Sequence, residues 1–181
     1  ETVFHYLNFQ TSKGNLLVAT TRPELLAGCV CIFVHPDDIR YKQYIGEKAK
    51  VPLYDFEIPV LAEETVSMEK GTGAVMCATF GDSTDVDWYQ KHNLSYKKII
   101  LQNGTICEEI PYIGKMSIKK AREFIAELLK EKGLLIKQEE VSHMVAVHER
   151  CGNEVEFILS KQWYIDILSE KERFLQAAQE I

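Results

Sequence analysis

Ala19-Thr20-Thr21-Arg22-Pro23-Glu24-Leu25-Leu26 is an apolar strand run into a forced turn. Pro23 drives the backbone of Arg22 out of the helical region, so the strand ends there and the chain reverses. Strand signals lie on both sides of it. Residues 3–9 alternate in part, and residues 16–20 follow the turn Ser12-Lys13-Gly14-Asn15. Residues 29–34 are a continuous apolar run, stopped by His35-Pro36-Asp37-Asp38. Asp37 or Asp38 is placed to cap a short helix over residues 39–44, with Gly46 as its end. Residues 50–53 and 57–62 read as strands with Pro in or near each, which predicts edge or rim positions. Gly71-Thr72-Gly73 allows close backbone approach at the entry to a buried strand over residues 74–79. Short strands separated by turn signals predict an α+β fold with a closed or nearly closed β-barrel core and peripheral helices.

The helical signals come later. Residues 82–93 read as a helix with Asp82 near its N-cap, and Asn103-Gly104 predicts a hairpin turn within residues 97–105. Residues 117–132 are amphipathic: Ile118, Ala121, Ile125, Leu128 and Leu129 share a face, and Gly133 ends the helix. Strand-like runs return at residues 134–137 and 144–147. From Ser160 the chain reads as helical, with Ser169 and Glu172 spaced as a capping box. The organisation expected is a domain over residues 1–160 followed by a helical segment over 161–181.

Composition bounds the function. A chain of 181 residues, 46% hydrophobic and 27% charged, suits one soluble domain with a full core. No apolar run approaches the roughly 20 residues a membrane span needs. It begins Glu1-Thr2-Val3-Phe4, with no initiator Met and no basic leader, and is expected to be a piece of a longer polypeptide. A net charge of −6 argues against broad, sequence-independent nucleic-acid binding. If RNA is a partner, most phosphate contacts must lie elsewhere. The five cysteines, Cys29, Cys31, Cys77, Cys107 and Cys151, form no regular framework and are expected to be mostly buried free thiols of a reducing, cytoplasmic compartment.

Two aspartates and a set of hydroxyls could carry chemistry. Asp82 and Asp85 fit a capping pair at the positive end of a helix. They equally fit an oriented anchor for an ammonium group: if only one caps, the other is free to face a pocket. Thr20 and Thr21 are strand threonines whose hydroxyls could position a water or a ribose. Arg22 is a solvated arginine or a contact to a phosphate or ester. Thr79, at the end of its strand, is strand filler or a hydroxyl pointing into the same cleft. His35 and His92 carry no partner pattern and are expected at a turn and at an exposed helix end. No Ser-His-Asp or Cys-His arrangement can be assembled, so a nucleophilic side chain is not expected. His148 and Cys151 form half of a zinc-knuckle spacing with no second half in the chain, and no metal is expected.

In this order, Thr20-Thr21-Arg22-Pro23-Glu24, Val34-His35-Pro36-Asp37-Asp38, Met68-Glu69-Lys70-Gly71-Thr72-Gly73, the Asp82 and Asp85 element, Glu149-Arg150-Cys151-Gly152 and Lys161-Gln162-Trp163 resemble the editing (CP1) domain of the class I aminoacyl-tRNA synthetases for branched aliphatic amino acids. The stretch over residues 34–75 is most like the valyl enzymes. The resemblance implies hydrolysis of threonine wrongly esterified to valine tRNA. Asp85 would anchor the α-amino group with Asp82 as its companion. Thr20, Thr21 and Arg22 would surround the substrate and terminal adenosine, and Lys70, Ala78, Leu25 and Thr79 would contribute to the pocket. A positioned water would attack the ester, so positioning and electrostatics supply the rate. It implies no cofactor for the domain itself, ATP and magnesium serving the parent enzyme. The partners implied are the 3' end of valine tRNA and the rest of the synthetase, to which residues 161–181 return. Two other readings stay open: an isoleucyl-type editing domain, and a non-catalytic module binding the tRNA end. The sequence departs from the common bacterial pattern, which has Thr at Leu25, Lys and Thr at Met76 and Ala78, and His at Gly81. Thr79-Phe80-Gly81-Asp82 resembles the archaeal-type branch. With Ala at position 78, Thr79 or another group must read a threonine hydroxyl.

Overall fold

The computed structural model describes residues 2–142 and 145–179. Among these, the strands are β1 (Thr2–Thr11), β2 (Gly14–Thr20), β3 (Cys29–Val34), β4 (Lys48–Lys50), β5 (Glu57–Ala62), β6 (Ala74–Ala78) and β7 (Leu135–Val141). The helices are α1 (Ser83–Lys91), α2 (Ile118–Glu131) and α3 (Lys171–Gln179). The strand path runs β2-β1-β4-β5-β3-β6, with β7 pairing β1 off that path. β1 shares its second edge, β7 taking residues from Thr2 to Leu7 and β4 taking Gln10 and Thr11. This wraps a mixed sheet into a nearly closed barrel, as its short strands predicted. The inward side chains Leu7, Phe9, Leu16, Val18, Ile32, Val34, Ile58 and Val60 form one core with Leu25 and Leu26. Ala121, Ile125 and Leu129 lay the apolar face of α2 on the same core.

Several expectations need correction. β5 is not an edge strand: β4 pairs it antiparallel on one side and β3 parallel on the other. Pairing with β3 begins only at Val60, so the missing N–H of Pro59 costs that ladder nothing. The strand expected over residues 50–53 ends at Lys50, because the chain turns through Leu53 at φ +69°. The helix expected over residues 39–44 is reduced to a 3-10 turn at Lys42–Tyr44, Asp38 instead accepting the N–H of Arg40. The hairpin of residues 97–105 contributes one bridge, Ile100 to Ile106. Residues 161–167 carry no regular helix, and the Ser169 hydroxyl donates to the Asp166 carbonyl, so no capping box forms before α3. The strand-like run at 144–147 begins at Met144, outside the described residues.

Candidate functional site

The end of β2 faces the exit of β6 and the first turn of α1 across a cleft of about 880 Å3. Thr20, Thr21, Arg22 and Leu25 line it from one side, and Ala78, Asp82 and Asp85 from the other, with Lys70 at its border. The fold therefore gathers into one cleft all but one of the residues assigned to the pocket by resemblance. Thr79 is the exception. Its buried hydroxyl donates to the Lys97 carbonyl at 2.7 Å and accepts the Lys97 N–H at 3.0 Å. Ala74, Met76 and Ala78 line the cleft, so the alternation of strand side chains places the next residue, Thr79, on the opposite face. Thr79 instead fastens the segment after α1, where Lys97 also donates to the Cys29 carbonyl and lies over the Phe56 ring.

The two aspartates do different things. Asp82 is the N-cap of α1, its carboxylate accepting the Asp85 N–H at 3.1 Å. Asp85 lies inside that first turn, only 7% exposed, and accepts the Gly81 N–H at 2.7 Å. Burial, and then the charge of Asp82, push its carboxyl up to about 7. The Gly81 and Ala78 N–H groups and the Cys77 thiol pull the other way. Desolvation that no cation offsets, among the described residues, leaves a carboxylate poised to ionise fully when a cation arrives. Gly81 lets the backbone approach Asp85 closely: a Cβ there would lie 2.8 Å from the Asp85 Oδ2 as placed here.

Arg22 was read as solvated or as a contact to a phosphate or ester; it lines the cleft but is mostly buried in a cluster of charges, which corrects the solvated reading. Its Nε donates to Glu24 at 3.0 Å, its Nη1 to the Gly81 carbonyl at 3.0 Å, and its Nη2 to both oxygens of Glu156 at 3.0 and 2.8 Å. Pro23 starts a 3-10 turn that buries Glu24 completely, and Arg122 on α2 reaches the same carboxylate and Glu154. Thr20 accepts the Arg22 N–H at 3.1 Å, which fixes the turn. Glu24 and Arg122, with Glu154 and Glu156, were missed in the sequence: charges far apart in the chain give no periodic signal.

A second buried carboxylate was also missed. Glu63 is fully buried below the cleft wall, where it pairs Lys91 at 2.8 Å and His92 at 2.6 Å. It also accepts the Thr65 hydroxyl, which in turn accepts Trp88 Nε1 at 2.9 Å. Burial works to raise its carboxyl, but the bonds from Lys91, His92 and Thr65 prevail and hold it at about 2. His92 is thus tied to a buried acid, not loose at a helix end. Trp88, Leu25, Met76 and Ala78 give the cleft its apolar side.

Cys29, Cys31, Cys77 and Cys107 are buried and free, and Cys151 is exposed. The Cys151 sulfur lies 3.4 Å from His148 Nδ1. Among the described residues no group of three or more His, Cys, Asp or Glu is disposed to hold a metal ion, and no helix is long and apolar enough to cross a membrane.

Comparison with known proteins adds three findings. The family described as "Leucyl-tRNA synthetase, editing domain" matches residues 40–145. A valine-tRNA ligase of Rickettsia rickettsii (strain Sheila Smith) is 47% identical over 179 residues, taking in 98% of this chain and 22% of the relative. One from Haloarcula marismortui is 44% identical over 164 residues, or 91% of this chain and 18% of the relative. The chain thus spans about a fifth of the length of these curated relatives. A solved chain described as "The crystal structure of GlLeuRS-CP1" superposes with a TM-score of 0.57 at 18% identity, covering 70% of this chain and 84% of that one, a likeness of fold.

Proposed function

We infer that this chain, which belongs to the family of aminoacyl-tRNA synthetase editing domains and is the editing domain of a valine-tRNA ligase, hydrolyses threonine wrongly esterified to valine tRNA. The observation that carries the reading is Asp85: a buried carboxylate, facing a cleft, with no cation of its own among the described residues. The α-ammonium of an aminoacyl ester supplies that charge and fixes the ester carbonyl relative to the Thr20 and Thr21 hydroxyls. Water held there attacks the carbonyl, and the tRNA ribose oxygen leaves. Rate comes from placement and electrostatics, since no side chain at the site acts as a nucleophile.

The need for such a site follows from elementary selectivity. A hydrophobic valine pocket rejects an isostere bearing a hydroxyl by only about 10², a figure established for valine-specific synthetases themselves. A second pocket that leaves a polar group unpaired when valine enters adds about 1–3 kcal/mol. Asp82, Lys70 and the cleft hydroxyls of Thr20 and Thr21 are among the polar groups available for that task. The reading carries with it a cytoplasmic setting, the tRNA 3' end and the rest of the polypeptide as partners, and no cofactor in the domain.

The test is deacylation by the full-length synthetase of valine tRNA charged with threonine, valine or alanine. Rapid release of threonine alone supports the reading. Release chiefly of valine would make this an isoleucyl-type pocket, and tRNA binding without release of any amino acid would make it a non-catalytic module.

A further inference from the structure

We propose that Arg22 is a positioning residue: it pins the backbone of Gly81 so that the Gly81 N–H meets Asp85, and it does not itself touch the substrate. The inference deepens the reading of Asp85 as the ammonium anchor and rests on it.

Each of the three guanidinium nitrogens already donates within the fold. Nε is on Glu24, Nη1 on the Gly81 carbonyl, and Nη2 on Glu156. Glu24 is itself clamped by Arg122, so Arg22 is held from behind as well as in front. Gly81 is where Asp85 is held, through a 2.7 Å bond from its N–H. Glycine is the residue whose backbone is least able to hold its own conformation. It also brings the backbone close to Asp85, a Cβ at this position lying 2.8 Å from the Asp85 oxygen as placed here. The Gly81 backbone must therefore be fixed from outside, and the Arg22 bond to its carbonyl, reaching across the cleft from the end of β2, does that. The order of action is Arg122 and Glu24 on Arg22, Arg22 on Gly81, Gly81 on Asp85.

The charged and titratable groups around Asp85 are Asp82 at the N-cap of α1, Cys77 on β6, Cys29 on β3 and, through Gly81, Arg22. Losing the Gly81 N–H removes one of the contacts favouring the ionised form. In R22Q the pH midpoint of threonine release rises by about one unit. G81A, which disturbs only the inner link and leaves Arg22 on Glu24, shifts it the same way.

The experiment uses the full-length synthetase and its R22Q, G81A and doubly substituted variants. Three readouts are taken: amide hydrogen exchange at residues 80–86, the pH profile of threonyl-tRNA deacylation, and the salt dependence of tRNA binding. Action in series predicts faster exchange in R22Q, like pH shifts in both single variants, and no further shift in the double variant. The salt slope of binding stays as in the wild type. A direct phosphate contact predicts the reverse: a slope smaller by about one, with exchange and pH midpoint unmoved. That result, or pH shifts that add in the double variant, overturns the proposal. If the wild type releases no amino acid, the functional reading falls, and hydrogen exchange still decides the proposal: faster exchange in R22Q sustains it and unchanged exchange overturns it.

Discussion

The Asp82 carboxylate accepts the backbone N–H of Asp85 at 3.1 Å, so the first aspartate caps the helix and the second is released to face the cleft. Asp85→Asn keeps the shape and removes the charge. It is expected to lower threonyl-tRNA deacylation by about a hundredfold or more while aminoacylation by the full-length enzyme is unchanged. Asp82→Ala is expected to cost about 0.5–2 kcal/mol of stability as a lost cap. Parallel deacylation and urea-unfolding assays check both, and an Asp85→Asn variant with wild-type deacylation would remove the anchor.

The titration of Asp85 gives a signed prediction. Its carboxyl is raised from its ordinary 3.8 to about 7, so the folded state holds a proton that the unfolded state has lost between those values. Stability therefore falls as pH rises through that window and levels off above about 7. Deacylation runs the other way, because the ammonium binds the ionised form: activity climbs with pH up to about 7. Asp85→Asn flattens its part of the stability profile. A wild-type deacylation rate independent of pH between about 5.5 and 8 would contradict the assignment.

Glu24 is the hub of the charge cluster and is fully buried. Replacing it with Ala leaves Arg22 and Arg122 without their shared acid and is expected to cost about 3–5 kcal/mol, read from the urea midpoint at constant slope. A loss below about 1 kcal/mol would show that the cluster contributes little.

Glu63 acts in the opposite pH range to Asp85. Held at about 2 against an ordinary 4.5, it contributes stability that is complete above the higher value and lost as pH falls towards the lower. Glu63→Gln is expected to be less stable at neutral pH and to lose less on acidification from pH 5 to 2. Thermal melts across that range decide it, and parallel melting curves for the two proteins would count against the pairing.

Thr79→Val should separate support from recognition. It removes both bonds to the Lys97 backbone at nearly constant volume and is expected to cost about 1–3 kcal/mol. The preference for threonyl over valyl tRNA should stay as in the wild type. A changed preference would return Thr79 to the pocket.

What the sequence made legible was local. The runs at Cys29–Val34 and Glu57–Ala62 are strands with the bounds their composition predicted, because uninterrupted apolar runs and flanking prolines are short-range signals. Asp82 at the N-cap of α1 and Gly133 after α2 were legible for the same reason. The failures share a different cause. The role of Thr79 depends on the Lys97 backbone, and the role of Arg22 depends on Glu156, 134 residues away. Glu63, Lys91 and His92 meet only because β5 ends beside α1. Charges that pair through the fold look, in sequence, like ordinary surface.

β2 and β6 are the two ends of the strand path, and the cleft lies where their C-terminal ends meet. No ladder joins them among the described strands, so the gap between the walls can widen or narrow without breaking a hydrogen bond of the sheet. The Arg22 bond to the Gly81 carbonyl is one side-chain strut across it. A change of amino-acid preference therefore asks only for new struts and liners, and the barrel can keep every strand in register while its selectivity is rebuilt.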